Sequence, residues 1–487
     1  MNHLFEKLRV QIRFMFLHLA RELRKSSRST PVVRESKNLF TKEIKIPVFV
    51  SFAVTVILFY LMLFIVFGIN WRSMIATAIF VVVNIILFIV QVKSKEQNII
   101  KDNDAVFLMS FLFVIAILIC QLSREYSSPF ITPVGAFSLM GAILLSQRIG
   151  TLYAISLSLV VAFLNDFRFD IFLVMLCGSV AAITNVSNIR RRSDFINSGV
   201  KVSVVNILIV AMFYLFDAYG SSQFKYDLIY SALNGSIVTV LLLVLMPLFE
   251  KLFSRTTNIK LIELSDFNNS LLKRLMLEAP GTYHHSIMTA DIAERAANPV
   301  NENSLLARIG AYYHDIGKLN NPNYFIENQT LGHNPHDVLT PEMSRLILVS
   351  HVKDGVSLAK RYNIDNEIIN IIQQHHGTTS MYSFYHRALE EDANVNIEDF
   401  RYQGPKPQTK VAAIVMMADS CEAACRSIEE PTVVRIQDMV EKIINNKFID
   451  GQFSECPITL KDLKSIRDSI ISTIVGIYHA RIEYKQK

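Results

Sequence analysis

The chain has 487 residues, 51% of them apolar and only 19% charged, with a mean hydropathy of +0.31. That length holds two or more domains, and the composition excludes collagen-like, disordered and coiled-coil architectures. The formal charge of +6 would suit a nucleic-acid partner if it were evenly spread. Instead, residues 1–250 carry 23 Lys/Arg against 14 Asp/Glu, a balance of +9, and residues 251–487 carry 26 against 29, a balance of −3.

Residues 1–45 form a basic segment expected on the cytoplasmic side. It is no signal peptide, because charges interrupt its apolar residues and no small-residue cleavage site follows. Leu4, Phe5, Leu8, Ile12, Phe16 and Leu19 alternate with Lys7, Arg9, Arg13, Arg21 and Arg24. That pattern suits either an interfacial helix on anionic lipid or a basic topogenic tail.

A helix needs ~20 largely apolar residues to cross the hydrocarbon layer. Residues 46–250 supply such segments in succession, near 46–69, 73–92, 105–122, 130–147, 149–165, 169–187, 199–219 and 231–249. A tight turn at 147–150 joins the fourth to the fifth. The even-numbered joints hold Lys93, Lys95 and Lys101, then Arg148, then Arg190, Arg191 and Arg192. The odd-numbered joints hold Arg72, Arg124, Arg168 and Lys225. This bias places the N-terminus inside, and eight spans return the chain to the cytoplasm. The five cysteines (Cys120, Cys177, Cys421, Cys425 and Cys456) make no CxxC pair or disulfide framework, so a reducing compartment is expected for the soluble part.

After a connector at 251–280, the domain at 281–487 reads as all-α. Asn303–Tyr313, Glu342–Tyr362, Glu367–Gln374 and Lys410–Ser427 show i, i+3, i+4 apolar spacing, and strand-like alternation is scarce. Pro280-Gly281 marks a break just before the first histidine pair. Nine of the twelve histidines fall between residues 284 and 386. They cluster as His284-His285, His314-Asp315, His351 (with His333 and His336 upstream) and His375-His376. One carboxylate can bridge two cations while imidazoles fill the outer positions, and a paired-metal site of that kind polarises a phosphate. Chemistry alone leaves His284 and His285 equivalent as candidates, and leaves Asp419 open between a ligand and a surface acid.

These residues carry a resemblance. Tyr312-Tyr313-His314-Asp315-Ile316-Gly317-Lys318 is similar to the signature of the HD superfamily of metal-dependent phosphohydrolases. The segments Glu278–Ser286, Tyr324–Gln329, Asn334–Asp337, Ser350–Gly355, His375–Thr379 and Phe400–Pro407 resemble one membrane-bound family. This is the seven-transmembrane HD-domain phosphodiesterases that hydrolyse cyclic di-AMP. The resemblance implies a polytopic helical membrane region followed by a cytoplasmic HD domain, in a bacterial plasma membrane. It implies seven metal ligands: His285, His314 and Asp419 on one ion, His351, His375 and His376 on the other, and Asp315 between them.

All these donors are nitrogen or oxygen, which suits manganese or iron over a closed structural zinc site. The expected reaction is in-line attack by a metal-bridged hydroxide, giving 5′-pApA. His314, Asp315 and Lys318 are the expected catalytic residues, and Lys318, Arg401, Tyr402 and Lys406 the expected substrate contacts. The expected partners are cyclic di-AMP and the lipid bilayer, with no nucleic-acid polymer and homo-oligomerisation left open. One departure stands out: only Gly68–Ser73 joins the first two spans, where the family normally carries a large extracellular domain. The alternatives are an HD hydrolase of another nucleotide and a non-catalytic nucleotide-binding receptor or scaffold. Gly377-Thr378-Thr379 after the paired histidines, in place of Gly-Tyr-Pro, argues against a cyclic di-GMP enzyme.

Overall fold

The computed structural model describes residues 71–96, 103–184, 186, 189–216, 221–253, 255–329 and 334–479. The basic N-terminal segment, the expected span at 46–69, Lys101 and His333 lie outside these residues. Among the described residues the fold is entirely helical, with one isolated bridge between Ser380 and Arg401.

Seven apolar helices come first: α1 Trp71–Lys95, α2 Asn103–Tyr126, α3 Val134–Leu144, α4 Gln147–Leu164, α5 Phe169–Ile183, α6 Asp194–Leu215 and α7 Ser221–Leu252. Each coincides with an expected span. Of them α2, α4, α6 and α7 are long and apolar enough to cross a membrane. The expected span at 130–147 is shortened. Its first residues form a 3-10 turn, Pro129–Ile131, capped by Ser128. Its last are lost to a junction where the Ser146 side chain accepts from Ile149 N and starts α4. The tight turn therefore falls at Leu145–Ser146, and Gln147–Gly150 is already helix. What remains, α3, has 11 residues, all but one of them buried. It rises only ~16 Å against a ~30 Å hydrocarbon layer. Asn234 on α7 donates to the carbonyls of Phe130 (2.9 Å) and Thr132 (2.8 Å), satisfying backbone that the broken helix leaves free.

Helices α6 and α7 approach closely through small residues four apart, Gly199 and Ser203 facing Gly235 and Thr239. A Cβ on Gly235 would lie 2.0 Å from the Gly199 carbonyl oxygen. Ser203 Oγ donates to Ala232 O across the contact at 2.6 Å. Small residues that let backbones approach closely are enriched where helices pack together in lipid. Gly235→Leu is therefore expected to force the pair apart, at roughly 1–3 kcal/mol or more. A thermal melt of the detergent-solubilised chain, lowered by several degrees, is the check.

A short helix, α8 (Asn258–Leu264), joins the two halves. Its Glu263 pairs with Arg192 between α5 and α6 (2.8 and 3.2 Å), and its Lys260 pairs with Asp365. The Leu264 carbonyl accepts from Tyr313 Oη at 2.7 Å. The second half continues as α9 Ser270–Glu278, α10 Pro280–Ala297, α11 Ser304–Tyr313, α12 Pro341–Arg361, α13 Asn366–Gln374, α14 Tyr382–Glu391, α15 Lys410–Arg426, α16 Val433–Ile449 and α17 Leu460–His479. Helix α15 runs through the core, with every residue from Val411 to Asp419 buried. Apolar residues of α10, α11, α13, α16 and α17 close around it. Side-chain caps begin the elements that matter for the site, Asn303 for α11, Thr340 for α12 and Thr409 for α15. Pro280 is the first residue of α10, so the expected break is the start of the helix that carries His284-His285.

Candidate metal centre

Four helices deliver the histidines to one place. His285 lies in α10, His314 caps the C-terminus of α11 with Asp315 just beyond, His351 lies in α12, and His375 caps α13 with His376 next. Asp419 comes from the buried face of α15. Their donor atoms fall into two groups: His285, His314 and Asp419, and Asp315, His351, His375 and His376. Within each group all donor atoms lie within 4.8 Å of one another. Asp315 faces both groups, with Oδ2 3.2 Å from His314 Nε2 and Oδ1 3.4 Å from His351 Nε2. His285 is 3% exposed and lies 3.0 Å from Asp419, whereas His284 is exposed on the helix surface. His336 lies apart from the cluster and bonds the Tyr324 carbonyl through Nε2 at 2.9 Å.

The fit to cations rests on how the rings are held. His314, His351 and His375 each direct Nδ1 at the carbonyl three residues upstream, Ala311, Leu348 and Ile372. A ring that donates through Nδ1 presents the Nε2 lone pair inward, as a metal-ligating histidine does. Two such atoms, Nε2 of His351 and of His375, stand 3.3 Å apart. His314 Nε2 and Asp315 Oδ1 are fully buried and make no hydrogen bond. Buried polar atoms are rarely left so, and bare nitrogen and oxygen donors converging on shared points suit divalent ions.

The electrostatics separate the two groups. Burial opposes the charged form of the His314 ring, but Asp315 and Asp419 overcome it and raise its pKa to about 10. At His351 burial prevails and the pKa falls to about 3.

Around the donors lie Lys318, singled out by its motif, and several residues that motif reasoning did not assign. Glu422, one helical turn beyond Asp419, contacts His285 Nδ1 and fixes that ring. Its spacing, Asp-x-x-Glu on one helix face, was the available signal. Lys318 lies at the cavity between two acids, 2.6 Å from Asp315 and 2.7 Å from Glu327. The same turn steadies α10: Thr282 Oγ1 donates to Glu327 (3.0 Å), and Asn328 Oδ1 accepts from Thr282 N (3.0 Å).

The donors open into a cavity of about 660 Å³, with Lys318, Phe325, Tyr402 and Arg426 in its wall. Tyr402 stacks on His376 with ring centres 4.2 Å apart. Arg401 and Lys406, expected to contact substrate, do not line it. The Arg401 guanidinium is committed to Asp450, Glu398 and the Thr378 carbonyl, at 2.8–2.9 Å. Lys406 Nζ lies 3.4 Å from Ser454 Oγ.

A bundle of apolar helices followed by a helical domain that gathers His-Asp and paired histidines defines a membrane protein with an HD domain. The family described as "7TM receptor with intracellular HD hydrolase" matches residues 71–257, where seven apolar helices are described, and the HD domain family matches residues 282–424. In both regions the chain resembles the seven-transmembrane HD-domain family. It is 40% identical to Cyclic-di-AMP phosphodiesterase PgpH of Listeria monocytogenes, over 81% of this chain and 55% of that one. To the protein of the same name from Bacillus subtilis it is 36% identical, over 81% and 57%. The chain thus spans about half the length of the curated relatives it matches. The crystal structure of the L. monocytogenes PgpH HD domain in complex with cyclic di-AMP is 51% identical, covering 44% of this chain and 100% of that one, with a TM-score of 0.43.

Proposed function

We propose that this protein is a membrane-anchored, metal-dependent phosphodiesterase that hydrolyses cyclic di-AMP to 5′-pApA. The observation that carries the reading is the set of inward-facing imidazole nitrogens around Asp315, whose own Oδ1 has no hydrogen bond, at the floor of a cavity of about 660 Å³. In this reading His285, His314 and Asp419 would hold one divalent ion and His351, His375 and His376 a second, with Asp315 available to both. Such ions, manganese or iron, would supply Lewis-acid charge to activate water and to offset charge on the phosphate and departing 3′-oxygens.

The side chains around them do the positioning. Lys318 and Glu327 hold Asp315 in line, Glu422 holds the His285 ring, and Tyr402 offers an aromatic face at the cavity wall for a purine. Arg401 and Lys406 act by fastening the loop that carries Tyr402. The names of the relatives support adenine as the base. The distribution of Lys and Arg supports a membrane protein with its catalytic domain in the cytoplasm; the organisms of the relatives support a bacterial plasma membrane.

The test is to incubate the full chain in detergent with Mn²⁺ and a panel of cyclic di-AMP, cyclic di-GMP, guanosine tetraphosphate and deoxynucleoside triphosphates. Cyclic di-AMP is expected to disappear with the formation of 5′-pApA, and chelation is expected to stop the reaction. A panel in which cyclic di-AMP survives and another nucleotide is consumed sinks the assignment.

A further inference from the structure

A cyclic dinucleotide carries two phosphodiester anions, and the metal-donor cluster confronts only one. The second, once inside the cavity, needs a cation of its own. Among the described residues two Lys/Arg side chains line the cavity, Lys318 and Arg426. Lys318 is already neutralised, held between Asp315 (2.6 Å) and Glu327 (2.7 Å) with its side chain 12% exposed. A phosphate approaching it would meet two carboxylates as well.

Arg426 differs on each count. It stands in the last turn of α15, seven residues beyond Asp419, so Asp419, Ala423 and Arg426 share the helix face that borders the cavity. Helical side chains lean toward the N-terminus, which carries the guanidinium back along α15 toward the donor cluster. It makes only a loose (i, i+4) ion pair, 3.8 Å from Glu422 and beyond hydrogen-bond range, and Glu422 is itself turned to His285 Nδ1. The Arg426 side chain is 41% exposed, open to a ligand where Lys318 is closed. Ser427 beside it also borders the cavity. Its hydroxyl donates to the Ala424 carbonyl at 2.7 Å, which leaves the guanidinium as the anion-binding group at this end.

We propose that Arg426 anchors the non-reacting phosphate of the cyclic dinucleotide while the metal centre holds the reacting one. This rests on the reading of the site as a cyclic di-AMP phosphodiesterase. A planar guanidinium offers two parallel donors to two phosphate oxygens, and it serves a two-phosphate substrate while doing nothing for a diester with one phosphate. Arg426 thereby selects cyclic dinucleotides over simple diesters.

The experiment compares wild type, Arg426→Gln and Arg426→Lys as full chains in detergent with Mn²⁺. Two substrates are used, cyclic di-AMP and the one-phosphate diester bis(p-nitrophenyl) phosphate. Arg426→Gln is expected to raise KM for cyclic di-AMP about ten- to a hundredfold. The ratio of kcat/KM values for the two substrates is expected to fall by the same factor, and Arg426→Lys to recover part of it. A ratio that stays at the wild-type value overturns the proposal, whether both substrates slow together or neither does. Wild-type protein that cleaves the simple diester and leaves cyclic di-AMP intact overturns the functional reading, and this assignment with it.

Discussion

On the two-ion phosphodiesterase reading proposed above, Asp315→Ala is expected to abolish hydrolysis and to lower the metal content of the purified chain to one ion or fewer. Asp315 faces both donor groups, with Oδ2 3.2 Å from His314 and 3.7 Å from His285. Oδ1 lies 3.4 Å from His351 and 3.6 Å from His375. Buried beside Lys318 and His314, its carboxyl stays well below the usual carboxylate range although burial pushes the other way. Truncation removes the anion common to both groups and leaves the buried Lys318 ammonium with Glu327 alone. Loss of a preorganised charge at a reacting phosphate is worth at least about a hundred- to thousandfold in kcat. Metal analysis and the cyclic di-AMP assay on the same preparation are the check. Two ions per chain with more than a tenth of the wild-type rate would rule out a bridging role.

Gly317→Ala is expected to be nearly as damaging, although Gly317 does not line the cavity. A Cβ there would stand 1.8 Å from the His351 carbonyl oxygen and 2.5 Å from the Gly355 nitrogen. Both obstacles are backbone atoms of α12, so the helix itself must retreat. His351 rides on it, and a displacement of about 1 Å at a reacting centre costs on the order of a hundredfold in rate. Overpacking at this crossing also costs roughly 1–3 kcal/mol or more of stability. Gly476→Ala is the matched control, because a Cβ on that helical glycine meets nothing within 4 Å. Its melting temperature should hold or rise slightly. Equal melting points and rates for the two variants would refute the crossing argument.

Much of the architecture is legible in the sequence, because it depends on local order along the chain. Hydropathy runs located all seven described apolar helices, and 3.6-residue periodicity located α11, α12, α13 and α15 to within about a residue or two of their ends. The shortening of α3 was less legible. It depends on Pro129, Pro133 and the Ser146 cap, and on Asn234, about a hundred residues away in sequence, paying the hydrogen bonds that a broken helix forfeits.

The sequence by itself determined the chemistry on offer: an all-helical chain with a basic, apolar first half and a second half rich in His and Asp. Its motifs carried the resemblance that named seven donors. Tertiary packing decided what each of those groups can do. It buried His285 and left its neighbour His284 in solvent, since adjacent helical side chains diverge by about 100°. It closed Lys318 between Asp315 and Glu327, turned Arg401 to Asp450, and left Arg426 open at the cavity wall. Such partnerships join residues as far apart in the chain as His285 and Glu422, and only the way α10 and α15 pack brings them together.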